Sequence, residues 1–175
     1  MDDLIDEEKK IMEERDKSPT VLKADIFMQP ISNLNLPTIT PVDISGTISD
    51  ALEIMQKFKI GAVIVTNKGK VAGIFTERDL LLKVAGIIDD LETKSITKVM
   101  TPDPVRLLKD DKIAYVMHNM HVGRFRHIPI VNENDEPISI VSIRKINSFI
   151  LDHFPEEITN ITESPHRMVS QRNDA

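Results

Sequence analysis

The sequence contains no cysteine among its 175 residues, and it also lacks tryptophan. Without thiols the chain cannot form disulfides or thiolate zinc sites, and it has no cysteine nucleophile. Aromatic residues make up only 4% of the chain. Any hydrophobic core must therefore consist mainly of aliphatic side chains and methionine.

Long apolar runs are missing as well. No run approaches the roughly 18 residues that a transmembrane helix needs. The N-terminal stretch MDDLIDEEKK is acidic and lacks the apolar region of a secretory signal. We therefore expect a cytoplasmic protein. The net charge of −6 argues against nucleic acid as a partner, although a locally basic pocket can still hold a small anion.

Residues 41–82 and residues 104–148 repeat one pattern. The stretch PVDIS corresponds to PVRLL, and VAGIFTERDLL corresponds to PISIVSIRKIN. Similarity that keeps its order along the chain indicates an internal repeat. Apolar residues recur with helical spacing in residues 48–55 and 113–120, and the β-branched runs AVIV and HIPIV follow them. Each copy therefore predicts the order β-α-β-β-α, and the fold class is mixed α and β.

The repeats and their flanks predict four parts of the chain. Because the predicted strands are short apolar runs, we expect both faces of each sheet to be covered. Residues 1–17 are highly charged, and their few apolar residues fit either a short amphipathic helix on a partner or a solvated arm. The predicted parts are an N-terminal arm or short helix (1–23), a first domain (24–95), a second domain (96–154) and a polar tail (155–175).

The motif Thr76-x-x-Asp79 lies between a predicted strand and a predicted helix. A hydroxyl followed three residues later by an acid is typical of a helix N-terminal cap, and the acid also suits the helix dipole. The same geometry can serve a ligand, because free N–H groups at a helix start bind phosphate and a carboxylate can hold a ribose diol. The residues alone favour the cap, and both roles are compatible.

The repeat, together with the strings GIFTERDLL, RHIPIV and VMTPDPV, resembles a CBS-domain pair, or Bateman module. The resemblance covers roughly residues 24–154 and implies a stand-alone pair, with two domains packed sheet to sheet about a pseudo-twofold axis. It further implies a regulatory module that senses an adenosine compound: AMP, ADP, ATP, S-adenosylmethionine or a cyclic dinucleotide. Such a module passes a conformational change to a protein partner or to its own disc-shaped homodimer.

The resemblance also implies which residues would form a main binding cleft. The matching Asp binds ribose, the matching Thr contacts ribose or phosphate, and basic residues of the stretch RFRHIP contact phosphate. Apolar side chains would wall the adenine. The residues predicted for this cleft are Thr76, Asp79, Thr101, Asp103, Pro104, Val105, Arg126, His127, Ile128 and Pro129.

A second cleft, related by the pseudo-twofold, departs from the family pattern. Lys145 stands where the ribose-binding Asp should be, and an ammonium group cannot accept hydrogen bonds. Ser139 stands where the first copy has Gly73. We therefore expect this cleft to be degenerate. Its predicted residues are Thr38, Thr40, Pro41, Ile60, Gly61, Ala62, Ser142 and Lys145.

Other constellations predict no catalysis and no metal site. His118 and His121 are three residues apart on a predicted helix, but a third ligand is not evident and solvent-exposed positions explain them. The sequence has no nucleophile elbow and no Walker-type phosphate loop. We therefore expect no enzyme and no cofactor beyond a regulatory nucleotide. The alternative function is a ligand-independent module for dimerisation or protein interaction.

Overall fold

The computed structural model describes residues 24–153 of the chain. Two compact units divide the chain: residues 25–147 form one unit, and residues 1–24 with residues 148–175 form the other. The predicted N-terminal arm (1–23) and polar tail (155–175) lie outside the described residues. Both repeats up to residue 147 belong to the unit 25–147, and so do all residues that line the cavity between them.

The first repeat follows the predicted order β-α-β-β-α. Two short 3-10 helices precede it, at Ala24–Met28 and Ile31–Leu34. Its elements are β1 (Val42–Asp43), α1 (Ile48–Phe58), β2 (Ala62–Asn67), β3 (Lys70–Thr76) and the short helix α2 (Glu77–Asp79), which continues as a π-helical turn at Leu80–Val84.

The second repeat has the same order and is preceded by a 3-10 turn at Ile96–Lys98. Its elements are β4 (Thr101–Pro102), β5 (Leu107–Leu108), α3 (Ile113–Gly123), β6 (His127–Val131), β7 (Pro137–Ser142) and α4 (Ile143–His153). The predicted mixed α and β fold with a tandem β-α-β-β-α repeat is therefore confirmed.

Two small sheets carry the repeats. The first has the strand order β1-β2-β3-β4 and the second the order β5-β6-β7. In each, the first strand runs parallel to the second, and the second pairs antiparallel with the third. The register shifts at Val65/Thr66 in one sheet and at Ile130/Val131 in the other. These positions correspond in the repeat, so the two copies agree in the detail of their strand pairing.

Amphipathic helices cover the sheets as the helical spacing predicts. In α1 the buried residues are Ile48, Ala51 and Met55, and they pack in one cluster with residues of β2 and β3. A second cluster joins Ile64 of β2 with Val131 of β6, so the two sheets meet through their apolar faces. Burying these side chains stabilises the fold by about 1.5–3 kcal/mol each.

The segment before each repeat packs against the other repeat. Ile48 N–H donates to the carbonyl of Lys94, and Ile96 N–H donates to the carbonyl of Gly46 (2.9 and 3.1 Å). In the same way Ile31 N–H donates to Asp111, and Ile113 N–H donates to Gln29 (2.8 and 3.0 Å). Backbone hydrogen bonds therefore tie each repeat to the segment that precedes the other. The strand β4 also extends the first sheet, although its residues belong to the segment that leads into the second repeat.

The stretch ERDLLLKVA departs from the regular helix that its pattern predicts. It is α-helical only at Glu77–Asp79. In the turn that follows, Ala85 N–H donates to the carbonyl of Leu80 (2.9 Å), which is the five-residue spacing of a π-helix. The turn ends at Ala85, whose backbone is extended. Lys83 lies within this turn, four residues after Asp79.

The helices α1 and α3 correspond in the two repeats but differ in their N-terminal caps. Thr47 begins α1 with a capping box, whereas Lys112 begins α3 with no side-chain cap. We expect Thr47→Ala to lower the free energy of unfolding by about 1 kcal/mol, because one backbone N–H loses its acceptor. Lys112→Ala should change it by less than about 0.5 kcal/mol. Urea denaturation measures both, and equal losses would contradict the assignment of the caps.

Candidate functional site

A cavity of about 400 Å³ opens between the two repeats. One wall comes from the end of β3 and the start of α2, with Thr76 and Asp79. A second wall is the segment between α3 and β6, and a third is the loop that follows β4. The cavity thus lies where the entry segment of the second repeat reaches the end of the first sheet.

Thr76 and Asp79 form a reciprocal capping box at the start of α2. Asp79 N–H donates to Thr76 Oγ1 (3.3 Å), and Thr76 N–H donates to Asp79 Oδ2 (3.0 Å). The Thr76 hydroxyl also donates to Asp79 Oδ2 at 2.7 Å. The structural role predicted from the motif is therefore confirmed, and it leaves the other carboxylate oxygen for further partners.

The second oxygen of Asp79 has two donors from outside the capping box. Lys83 Nζ lies 2.7 Å from Asp79 Oδ1, and the Thr101 hydroxyl donates to the same oxygen at 3.3 Å. Lys83 Nζ also donates to the carbonyl of Val99 at 2.9 Å. Asp79 is only 7% exposed, and this set of donors compensates the cost of burying its carboxylate.

Part of the cavity wall is basic. Arg78 lies on α2 between Thr76 and Asp79, whereas Arg124 and Arg126 come from the segment between α3 and β6. All three are exposed, and an Arg78 guanidinium N–H donates to the carbonyl of Arg124 at 3.0 Å. Among residues 24–153, no carboxylate lies at ion-pair distance from any of these three guanidinium groups. In a chain whose net charge is −6, these side chains make the cavity locally positive.

His127 lies at the start of β6 and completes the basic wall. Burial lowers the pKa of His127 below its ordinary value, and the neighbouring charges of Arg126 and Arg144 act in the same direction. Glu77 raises the pKa of His127, with an effect smaller than those of burial and of Arg126. The ring is therefore neutral at neutral pH, and it can donate one hydrogen bond without adding charge.

The loop after β4 is held by an ion-pair network. Arg106 Nη1 lies 2.7 Å from Asp103 Oδ1, and Arg106 Nε lies 2.5 Å from Asp135 Oδ1. Asp103 has a left-handed backbone with φ of 43°, and its N–H donates to the carbonyl of Ala72 at 3.1 Å. Arg106 neutralises Asp103 and fixes this loop, so the loop presents Pro104 and Val105 to the cavity as an apolar surface.

Most of the residues predicted for the main cleft come together at this cavity. Those that line it are Thr76, Asp79, Thr101, Asp103, Pro104, Val105, Arg126 and His127. Ile128 and Pro129 do not line it, because both are buried within β6 and pair there with residues of β7. Their role in binding adenine stays a prediction, and their side chains pack in the core because this strand is covered on both faces.

The cavity has further lining residues that the motif did not single out. They are Gly61, Ile74, Glu77, Arg78, Gly123, Arg124 and Phe125. Arg78 could have been found from its position inside the Thr76-x-x-Asp79 motif. It was missed because a charged residue there is typical of a solvated helix face. The signal that could have identified Arg124 was the alternation of arginines in the stretch RFRH.

The residues predicted for the second cleft differ in their location and in their exposure to solvent. Gly61, predicted for the second cleft, lines the first cavity, where its carbonyl accepts the Glu77 N–H at 3.0 Å next to the motif. Lys145 N–H donates to Ser142 Oγ at 3.2 Å, which preserves the cap. Ile60 is half-buried and Ala62 buried, whereas Thr38, Thr40 and Pro41 are exposed.

Ser139 in the second repeat stands where the first repeat has Gly73, and the two positions have different surroundings. A Cβ at Gly73 would meet the side chain of Met100. At the corresponding position the Ser139 hydroxyl donates to the carbonyl of Pro37 at 2.7 Å. The substitution therefore holds the entry segment of the first repeat against β7, which is a structural role.

The described residues contain no cluster of three or more His, Cys, Asp or Glu side chains that could hold a metal ion. His118 and His121 are both exposed on α3, as predicted. The helices between residues 24 and 153 are all too short or too polar to span a lipid bilayer.

Comparison with known proteins identifies the repeats. The family model of the CBS domain matches twice, at residues 31–86 and 96–152. A CBS-domain-containing protein from Agrobacterium tumefaciens has a similar structure (34% identity, TM-score 0.60, covering 68% of this chain and 97% of that one). A CBS domain protein from Pyrobaculum aerophilum, solved in complex with AMP, shares the fold (23% identity, TM-score 0.63, covering 70% and 96%).

The first curated relatives that the chain matches are much longer than it is. The meiotically up-regulated gene 70 protein of Schizosaccharomyces pombe is 32% identical over 111 residues, which are 63% of this chain and 15% of that protein. The chain spans less than a quarter of the length of the first curated relatives that it matches. Two consecutive matches that cover more than half of the residues, on the two repeats seen in the structure, show that this chain belongs to the CBS-domain family.

Proposed function

We propose that this CBS-domain pair is a regulatory module that binds an adenosine nucleotide in the cavity between its repeats. The observation that carries the proposal is that one cavity is lined by a buried carboxylate, Asp79, and by three arginines without ion-pair partners among the described residues. A nucleotide carries a diol, an anionic phosphate and an apolar base, which these groups and the apolar lining can bind. The AMP complex of the Pyrobaculum aerophilum protein supports this class of ligand.

The ribose and the base would use the walls formed by β3 and by the loop after β4. Asp79 Oδ1 is an acceptor that can bind a vicinal diol, as acids do in dinucleotide-binding folds. Ile74, Pro104 and Val105 supply apolar surface beside it. Phe125 adds an aromatic ring, which can stack on a base.

The phosphate end would use the basic wall. Arg78, Arg124 and Arg126 offer planar guanidinium groups, which bind phosphate through paired hydrogen bonds. Neutral His127 adds a donor. This wall favours AMP, ADP, ATP or a cyclic dinucleotide over S-adenosylmethionine, because the latter carries a cationic sulfonium group and no phosphate.

The first test separates the ligand role of Asp79 from its role as a cap. Asp50 forms the same kind of capping box with Thr47 at the start of α1 and does not line the cavity, so it is a matched control. We expect Asp79→Asn to weaken the binding of adenine nucleotides about tenfold or more, because a charged acceptor is lost. Asp50→Asn should leave binding unchanged although both variants lose stability.

Isothermal titration calorimetry with AMP, ADP, ATP and cyclic dinucleotides measures the affinities. A nucleotide at 100 times its Kd should also raise the free energy of unfolding by about 2.7 kcal/mol. The absence of binding by every nucleotide at millimolar concentration would contradict the proposed function.

The second test addresses the phosphate end. We expect Arg126→Gln to weaken nucleotide binding about tenfold or more and to leave the binding of adenosine nearly unchanged, because the removed contact is to phosphate alone. Lys94→Gln, which removes an exposed charge outside the cavity, is the control. An equal loss for adenosine and AMP would show that Arg126 does not bind phosphate.

We also propose that two copies of the chain associate and that the dimer carries the signal to a partner. Leu81, Leu82 and Ile87 are 69%, 64% and 67% exposed, which is a large apolar surface within one segment. We expect Leu82→Lys to convert the dimer into a monomer, because association would bury an unpaired charge. Sedimentation velocity measures this, with Lys94→Gln as a control that remains dimeric. A monomeric wild-type chain would refute the dimer.

A further inference from the structure

Lys83 occupies the carboxylate oxygen that a ribose would need. Its ammonium group lies 2.7 Å from Asp79 Oδ1 and 2.9 Å from the carbonyl of Val99. Lys83 itself is not part of the cavity wall, whereas Asp79 and Thr101 are. The ammonium therefore binds the carboxylate from outside the cavity.

The Asp79 carboxylate has no acceptor capacity to spare. A carboxylate offers about four lone-pair sites. Two donors to Oδ2 come from Thr76, and two donors to Oδ1 come from Thr101 and Lys83. The Thr76 donors belong to the capping box and start the helix. A vicinal diol, which brings two donors, must therefore take its place at Oδ1 by displacing Lys83 and Thr101.

Lys83 is four residues after Asp79, a spacing at which two side chains on one helix face meet. In the π-turn, Val84 is buried and Lys83 reaches both Asp79 and the backbone of the entry segment. The side chain of Lys83 is 40% exposed, so water can solvate the ammonium once it leaves the carboxylate.

We propose that Lys83 sets the affinity and selectivity of the cavity by competing with the ribose diol for Asp79. This inference rests on the proposed function. Displacement of Lys83 also breaks its bond to Val99, so occupation of Asp79 by a diol loosens the tie between the π-turn and the segment that holds β4. Ligands without a diol do not displace Lys83 and do not break this tie.

The test compares ribonucleotides with analogues that lack the diol. The variants are Lys83→Met, which keeps the aliphatic stem, and Lys83→Gln, with Lys98→Met as a control at an exposed lysine outside the cavity. The ligands are AMP, ADP and ATP and the 2′,3′-dideoxy form of each, titrated calorimetrically. We expect both Lys83 variants to bind the ribonucleotides about two- to fivefold more tightly than wild type, which is the range for a partly exposed ion pair.

The dideoxy nucleotides should bind all four proteins with the same affinity, and Lys98→Met should match wild type throughout. If Lys83 variants bind ribonucleotides equally or less tightly than wild type, competition is refuted while the proposed function stands. A parallel change for ribo and dideoxy forms would assign Lys83 a structural role and would also refute the proposal. If no protein binds any nucleotide, the proposed function and this inference fail together.

Discussion

The cavity depends on the backbone hydrogen bonds that hold the entry segment of the second repeat against the first. Ile48 N–H bonds to Lys94 and Ile96 N–H bonds to Gly46, and the buried side chains of Ile96 and Val99 join the core around α1. Once this segment is fixed, Thr101–Pro102 must pair with β3, and the loop that follows must pass beside Asp79. The site is therefore a product of how the repeats interlock rather than of either repeat alone.

Asp79 shows how one carboxylate combines a cap with a candidate binding role. The second repeat separates these roles, because Ser142 Oγ still accepts the Lys145 N–H although no acid is present. A hydroxyl cap is sufficient to begin a helix here, and an acid at this position adds a buried charge that must be compensated. In the first repeat Thr76, Thr101 and Lys83 provide that compensation.

Sequence periodicity predicted the repeat and the order of its elements, because apolar spacing is a local signal. The resemblance to CBS-domain pairs, through motifs such as Thr76-x-x-Asp79, implied most of the residues that line the cavity. Periodicity did not predict the π-turn, since the apolar pattern of α- and π-helical turns is similar over five residues. It also does not show which side of β6 faces the cavity, because a strand with both faces covered gives no alternation. The four-residue spacing of Asp79 and Lys83 is a local signal for their contact, whereas the hydrogen bond from Lys83 to Val99 joins residues that no local pattern connects.

Each repeat needs the segment that precedes the other repeat, because these segments supply hydrogen bonds and apolar contacts across the pair. A half on its own would expose the N–H groups and apolar side chains that the other half now covers, so two separate halves would have to exchange these segments in order to fold. Their assembly would then depend on protein concentration. Joining them in one chain replaces that dependence with a high effective concentration, so the cavity forms in a unimolecular step whatever the amount of protein in the cell.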